Sequence, residues 1–187
     1  MLKNIKAVAF DIDGTLYPAS SLNIRLIPYV IKHLVFYLHY NKVRNILHRT
    51  APLSDFYEYQ ARLFAEETGC TAAEAKSKIK EIVYDGLKKY FKKIKPFKNV
   101  GEAFRLLKEK GYKVALLSDF PPEQKGDVWG LASHCDCVLG SEEIGALKPS
   151  KYPFGVLALS LNLNPEEILY VGNSIKYDLA GAKNAGM

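Results

Sequence analysis

Residues 8–17 read Val8-Ala9-Phe10-Asp11-Ile12-Asp13-Gly14-Thr15-Leu16-Tyr17. The preceding run from Ile5 to Phe10 is apolar enough for a buried strand, and Gly14 breaks it. Side chains alternate along a strand, but the chain turns here, so Asp11 and Asp13 can converge on one pocket. A carboxylate with a second carboxyl beside it suits nucleophilic and acid/base work, and its oxygens attract a hard cation such as Mg2+. A strand-ending turn also favours Asp and Gly, so this spacing taken alone leaves both readings open.

Outward from this run the chain changes character twice. Residues 18–95 read as helices. Ile24–Leu47 is apolar on several faces and is expected to be deeply packed, with Thr50-Ala51-Pro52 interrupting it. Ser54 can cap a second helix reaching about Glu67, and Gly69 ends it. Thr71-Ala72-Ala73-Glu74 is a capping box that opens a third helix, stopped by Pro96.

After Pro96 strands alternate with helices. Val100–Lys110 reads as a helix ended by Gly111, and Lys113–Leu117 as a strand. A short helix is expected in 122–131, a strand over Cys135–Leu139 and a helix over Tyr152–Leu161. Ile168–Val171 follows as a strand and Lys176–Ala185 as a helix. Such alternation predicts an α/β fold: a Rossmann-like, mostly parallel sheet flanked by helices. Ligands in these sheets bind beyond the carboxyl ends of the strands.

Composition narrows the class. Apolar residues make up 48% of the 187, enough for a real core. Cys70, Cys135 and Cys137 are an odd count with no signal-peptide pattern before them, which predicts reduced thiols and a cytoplasmic protein. Cys135-Asp136-Cys137 is too tight for a usual zinc pair. No apolar stretch approaches the ~20 residues of a membrane span, although a basic interfacial helix within Ile24–Leu47 stays open. The net charge of +6 is uneven: residues 18–95 hold 14 Lys+Arg against 7 Asp+Glu, a net of +7, and the remainder is −1. A basic insert can attract an anionic substrate, but a solvated helix face explains most of these lysines. No basic motif with interleaved aromatics argues for nucleic acid, and nothing fixes the oligomeric state.

The acidic run strongly resembles the first motif of the haloacid dehalogenase-like phosphohydrolases. Three further stretches match that family in order. Ser118 follows Val114-Ala115-Leu116-Leu117. Lys148 lies in Gly145-Ala146-Leu147-Lys148-Pro149. The run Tyr170-Val171-Gly172-Asn173-Ser174 precedes Asp178 and Gly181–Met187. The resemblance implies a catalytic core of residues 1–17 and 96–187, with residues 18–95 as a helical cap. In that family another strand and helix commonly follow, so the chain reads as naturally short or truncated.

The implied activity is Mg2+-dependent hydrolysis of a small phosphorylated metabolite. Asp11 would form an aspartyl-phosphate, and Asp13 would protonate the leaving group and then activate water. Gly14, Thr15, Ser118, Asp119 and Lys148 would hold the phosphate. Asp11, the Asp13 carbonyl, Asn173 and Asp178 would hold the metal. Two positions depart from the pattern: Asn173 stands where an acid is usual, and Asp119 where a small polar residue is commoner. They motivate an alternative, a binding or regulatory protein with weakened catalysis. A sugar-phosphate mutase-type transferase would use the same core.

Overall fold

The computed structural model describes residues 4–187. β1 (Ala7–Phe10) leads into an inserted run of helices: α1 (Ala19–Lys32), α2 (Leu34–Leu47), α3 (Phe56–Thr68), α4 (Ala72–Ile79) and α5 (Lys88–Phe91). Then come α6 (Val100–Glu109), β2 (Lys113–Ser118), β3 (Cys137–Gly140), α7 (Ser141–Ile144), α8 (Lys151–Leu161), β4 (Ile168–Val171) and α9 (Ala180–Ala185). The four strands form one parallel sheet in the order β3-β2-β1-β4.

Helices pack on both sheet faces, as is usual for an all-parallel sheet, although on the α6 side Leu169 of β4 is left exposed. Period-two alternation divides the strand residues between the two faces. Ala7, Ala9, Ala115 and Leu117 pack with Phe154, Leu157, Leu161 and Ala182 of α8 and α9. Val114 and Leu116 pack with Phe104 of α6, on which Phe10 stacks at 4.9 Å. Phe10 is in register with Leu116 of β2 and Val171 of β4. Asp11, Ser118 and Gly172 therefore leave the sheet at the same edge, the carboxyl edge that the sequence predicts for the site.

Several helices differ from expectation for local reasons. Ile24–Leu47 is two helices, divided at His33, whose ψ of 30 leaves helical geometry. The expected deep packing is confined to α2, where Tyr40, Val43, Arg44 and Leu47 are buried, whereas α1 buries no residue. α3 is capped by Asp55 instead of Ser54: the Asp55 carboxylate accepts the Glu58 N–H at 2.9 Å. Gly69 ends α3 at φ 73, a conformation that glycine adopts without strain.

The Thr71 capping box forms as read. The third helix, however, widens into a π-helical turn at Lys80–Asp85, which leaves backbone carbonyls without their usual partners. Gln124 supplies the missing donor, its Nε2 reaching the Val83 and Tyr84 carbonyls at 3.0 and 3.1 Å. Residues 122–131 are not one helix but a 3-10 turn at Pro122–Lys125 and a second at Leu131–His134. The third strand begins at Cys137 instead of Cys135. The three cysteines are free, and burial pushes the Cys135 and Cys137 thiols up to about 12 and about 11. Among the described residues no helix is long and apolar enough to cross a membrane.

Candidate active site

Four loops at the carboxyl edge of the sheet, following β1, β2, α7 and β4, bring together the residues picked out in the sequence. The β1 loop carries Asp11, which is 4% exposed. The Thr15 hydroxyl donates to Asp11 Oδ2 at 2.8 Å, and Lys148 Nζ lies 2.7 Å from Oδ1. The same ammonium sits 2.6 Å from Asp178 Oδ1, so one buried lysine bridges two buried carboxylates. A π-helical turn at Ile175–Leu179 brings Asp178 back to its own loop, where Oδ2 accepts the Ser174 N–H at 3.0 Å. This replaces the plain helix expected from Lys176. Gly172 allows the approach, since a Cβ there would collide with the Asp178 side chain.

Asp13 lies in a second group beside the first. Tyr17 donates to its Oδ1 at 2.7 Å, and Ser118 donates to its Oδ2 at 3.0 Å. Lys125 Nζ lies 3.0 Å from that same Oδ2 and 3.3 Å from the Ser118 oxygen. The Lys125 side chain is fully buried, with its ammonium 4.9 Å from the Phe91 ring centre. Sequence reading missed Lys125, because Pro122-Glu123-Gln124-Lys125 looks like any charged turn. Its one signal was position, seven residues beyond Ser118 on the loop that leaves β2.

The electrostatics set the two acids apart. Burial, with Asp178 and Asp13 nearby, outweighs Lys148 and pushes the Asp11 carboxyl up to about 6. Burial also raises Asp13, but Lys125 and the hydrogen bonds from Tyr17, Lys125 and Ser118 prevail and hold it below the ordinary Asp range. Lys148 is held well above its usual value: burial opposes its charge, but Tyr170, Asp11, Asp119 and Asp178 outweigh it. Replacing Lys125 by Met keeps the volume and removes the cation. Lys125→Met is expected to raise the Asp13 pKa, detectable as a shift of the pH–rate profile.

The remaining predicted residues fall around this centre. Gly14 adopts φ 88, and a Cβ there would collide with the Asn173 amide, so the first and fourth loops touch at this point. Asn173 itself is exposed. Asp119 Oδ1 accepts the Lys148 N–H at 3.0 Å and braces the loop that presents Lys148.

The inserted helices close over these loops. His48, at the end of α2, donates from Nδ1 to the Lys148 carbonyl at 2.6 Å and stacks on Tyr177. Arg44 of α2 pairs with Glu142 of α7, the guanidinium 4.7 Å from the Phe120 ring centre. Tyr84 donates to the same carboxylate at 2.8 Å. Phe97 N–H to the Leu16 carbonyl, at 2.9 Å, ties the two ends of the insert together.

A parallel Rossmann-like sheet with a helical insert after its first strand, and a buried Asp–Lys–Asp cluster at its carboxyl edge, defines an α/β enzyme core. The profile of the haloacid dehalogenase-like hydrolases matches residues 5–186, and the chain belongs to that family. It is 29% identical over 200 residues to a glyceraldehyde 3-phosphate phosphatase of Methanothermobacter thermautotrophicus, covering 98% of this chain and 83% of that one. To the protein of the same name from Methanopyrus kandleri it is 31% identical over 192 residues, covering 98% and 82%. Its fold is similar to the crystal structure of a haloacid dehalogenase-family phosphatase from Thermococcus onnurineus, with a TM-score of 0.64 and 23% identity over 98% and 84% of the two chains.

Proposed function

We propose that the protein hydrolyses the phosphomonoester of a small phosphorylated metabolite through an aspartyl-phosphate on Asp11. The observation that carries this reading is the buried Asp11 carboxylate, oriented by Thr15 and Lys148 at the sheet edge. Its relatives' names make triose phosphates the first substrates to test.

An Asp11 oxygen attacks phosphorus, and the bond to the substrate alcohol oxygen breaks. Asp13 delivers the proton to that oxygen. In the second step Asp13 takes a proton from water, whose oxygen attacks phosphorus, releasing phosphate and restoring Asp11. Lys148 offsets charge on the phosphoryl group, as does Lys125, and Ser118 donates a hydrogen bond. Asp119 contributes its backbone N–H, its carboxylate being engaged with Lys148. Because Lys125 holds Asp13 ionised, the arriving phosphate dianion has a second task. It competes for Lys125 and so frees Asp13 to carry a proton. Lys125→Met removes one of the two cations that offset the phosphoryl charge and is expected to lower kcat by about 10²-fold, the scale of losing one charge-stabilising group. Residues 18–95 act as the cap that excludes water.

The donor set fits a divalent cation. Asp11, Asp178, the Asp13 carbonyl and the Asn173 amide are hard oxygen ligands on two adjoining loops. The charges leave room for one as well: three carboxylates, Asp11, Asp13 and Asp178, face two ammonium groups, Lys125 and Lys148. When bound, Mg2+ would supply further positive charge to the phosphoryl oxygens. Asn173 keeps a donor oxygen but adds no charge, so a Mg2+ requirement in the millimolar range is expected.

The test is phosphate release from glyceraldehyde 3-phosphate, phosphoglycolate, sugar phosphates and nucleotides, with Mg2+ or with a chelator. Mg2+-dependent release is expected. No release from folded protein on any of them would overturn the assignment. An isomerised sugar phosphate in place of free phosphate would transfer it to the mutase reaction.

A further inference from the structure

We propose that the outer face of α1 and α2 docks on an anionic lipid surface. Ile24, Ile27, Ile31, Leu34, Val35 and Leu38 lie along these two helices, each between 51 and 68% exposed. The opposite side is already occupied: Leu22, Leu26, Tyr29 and Phe36 pack on the core. The pair is thus apolar on both sides and covered on one, whereas a surface helix ordinarily turns charged and polar residues to water. Ile24, Ile27 and Ile31 are spaced three then four along α1, and Leu34 and Leu38 four apart on α2, so the aliphatics of each helix share one of its faces. Six half-exposed aliphatics reach the ~300–600 Å² that the largest apolar patch of a monomer usually covers.

Charge selects the occupant. No Asp or Glu occurs between Asp13 and Asp55. Arg25 and Lys32 lie on α1, and Arg25 lines a surface cleft with Lys93, Lys95 and Lys98 beside the exposed Phe97. A second copy would set this basic rim against its equal, which opposes association. An anionic bilayer interface accepts both components, aliphatic side chains sinking below the headgroups while Arg and Lys stay among them. Each cation near such a surface adds attraction that salt screens.

Flotation of the full chain with phosphatidylcholine vesicles, with and without phosphatidylglycerol, tests this. Binding to the phosphatidylglycerol vesicles is expected to exceed binding to phosphatidylcholine by about tenfold or more and to weaken as salt rises. Ile27→Glu/Ile31→Glu removes two exposed aliphatics and is expected to lose that binding. Its circular dichroism and its turnover of soluble substrate are expected to stay unchanged. Failure to float with anionic vesicles would overturn the proposal, as would equal flotation of the double variant. Sedimentation showing a dimer that the double variant disperses would assign the face to a second copy and overturn it too.

Discussion

Asp11→Asn is expected to lower phosphate release by at least ~10³-fold while leaving the fold intact, because the amide is a poor nucleophile and cannot form the acyl phosphate. The same substitution is expected to stabilise the metal-free protein at neutral pH. The Asp11 carboxyl is pushed up to about 6, mainly by burial. Between the usual Asp value and 6 the native state therefore binds a proton that the unfolded chain has released. A raised carboxyl pKa makes stability fall as pH rises through that window, and above 6 the full cost of a buried charge remains. Asn has no charge to desolvate. In chelator, thermal unfolding above pH 6 should find Asp11→Asn more stable on the order of 3 kcal/mol, and the difference should vanish below about pH 4. Persistent turnover in the variant would sink the nucleophile assignment. Equal stability across that range would show that Lys148 fully compensates the buried carboxylate.

Arg44→Met carries the second large effect, on stability. Glu142 is fully buried, and burial pushes its carboxyl up even against Arg44 and Tyr84. Arg44 is the cation facing it, and its removal strands the carboxylate away from water. Breaking one side of a buried pair costs about 3–5 kcal/mol. Glu142→Gln in the same chain removes the stranded charge, so the double variant should recover most of the loss. Urea unfolding of the two single variants and the double variant measures this. A double variant no more stable than Arg44→Met would show that Arg44 acts through its packing on Phe120 instead. Because the pair joins α2 to α7, the single variant should also weaken the contact between the inserted helices and the sheet.

Much of this arrangement could be read from local patterns. Asp11 and Asp13 followed an apolar strand, Thr71 opened a capping box, and Gly69 marked a helix end; each is a property of adjacent residues. The parallel sheet followed from the alternation after Pro96, and with it the edge at which the site lies. The elements that read poorly are those set by distant partners. Gln124 satisfies a π-helical turn some forty residues earlier, so no local pattern announces that turn. Asp55 displaces Ser54 as a cap by one residue, a margin that composition does not resolve.

The sequence by itself determined the α/β class, the family, the presence of Asp11, Asp13 and Ser118 at strand ends, and that of Lys148 and Asp178 in the segments that follow, because strand periodicity and loop chemistry are written in neighbouring residues. Only the tertiary structure decided which of these groups touch. It placed one ammonium between Asp11 and Asp178, set the Asp119 carboxylate against the Lys148 N–H, and brought Lys125 against Asp13. It also divided the apolar faces of the insert into a covered side and a bare one. Burial and charge pairing are properties of the packed chain, since they depend on residues brought together from up to 137 positions apart.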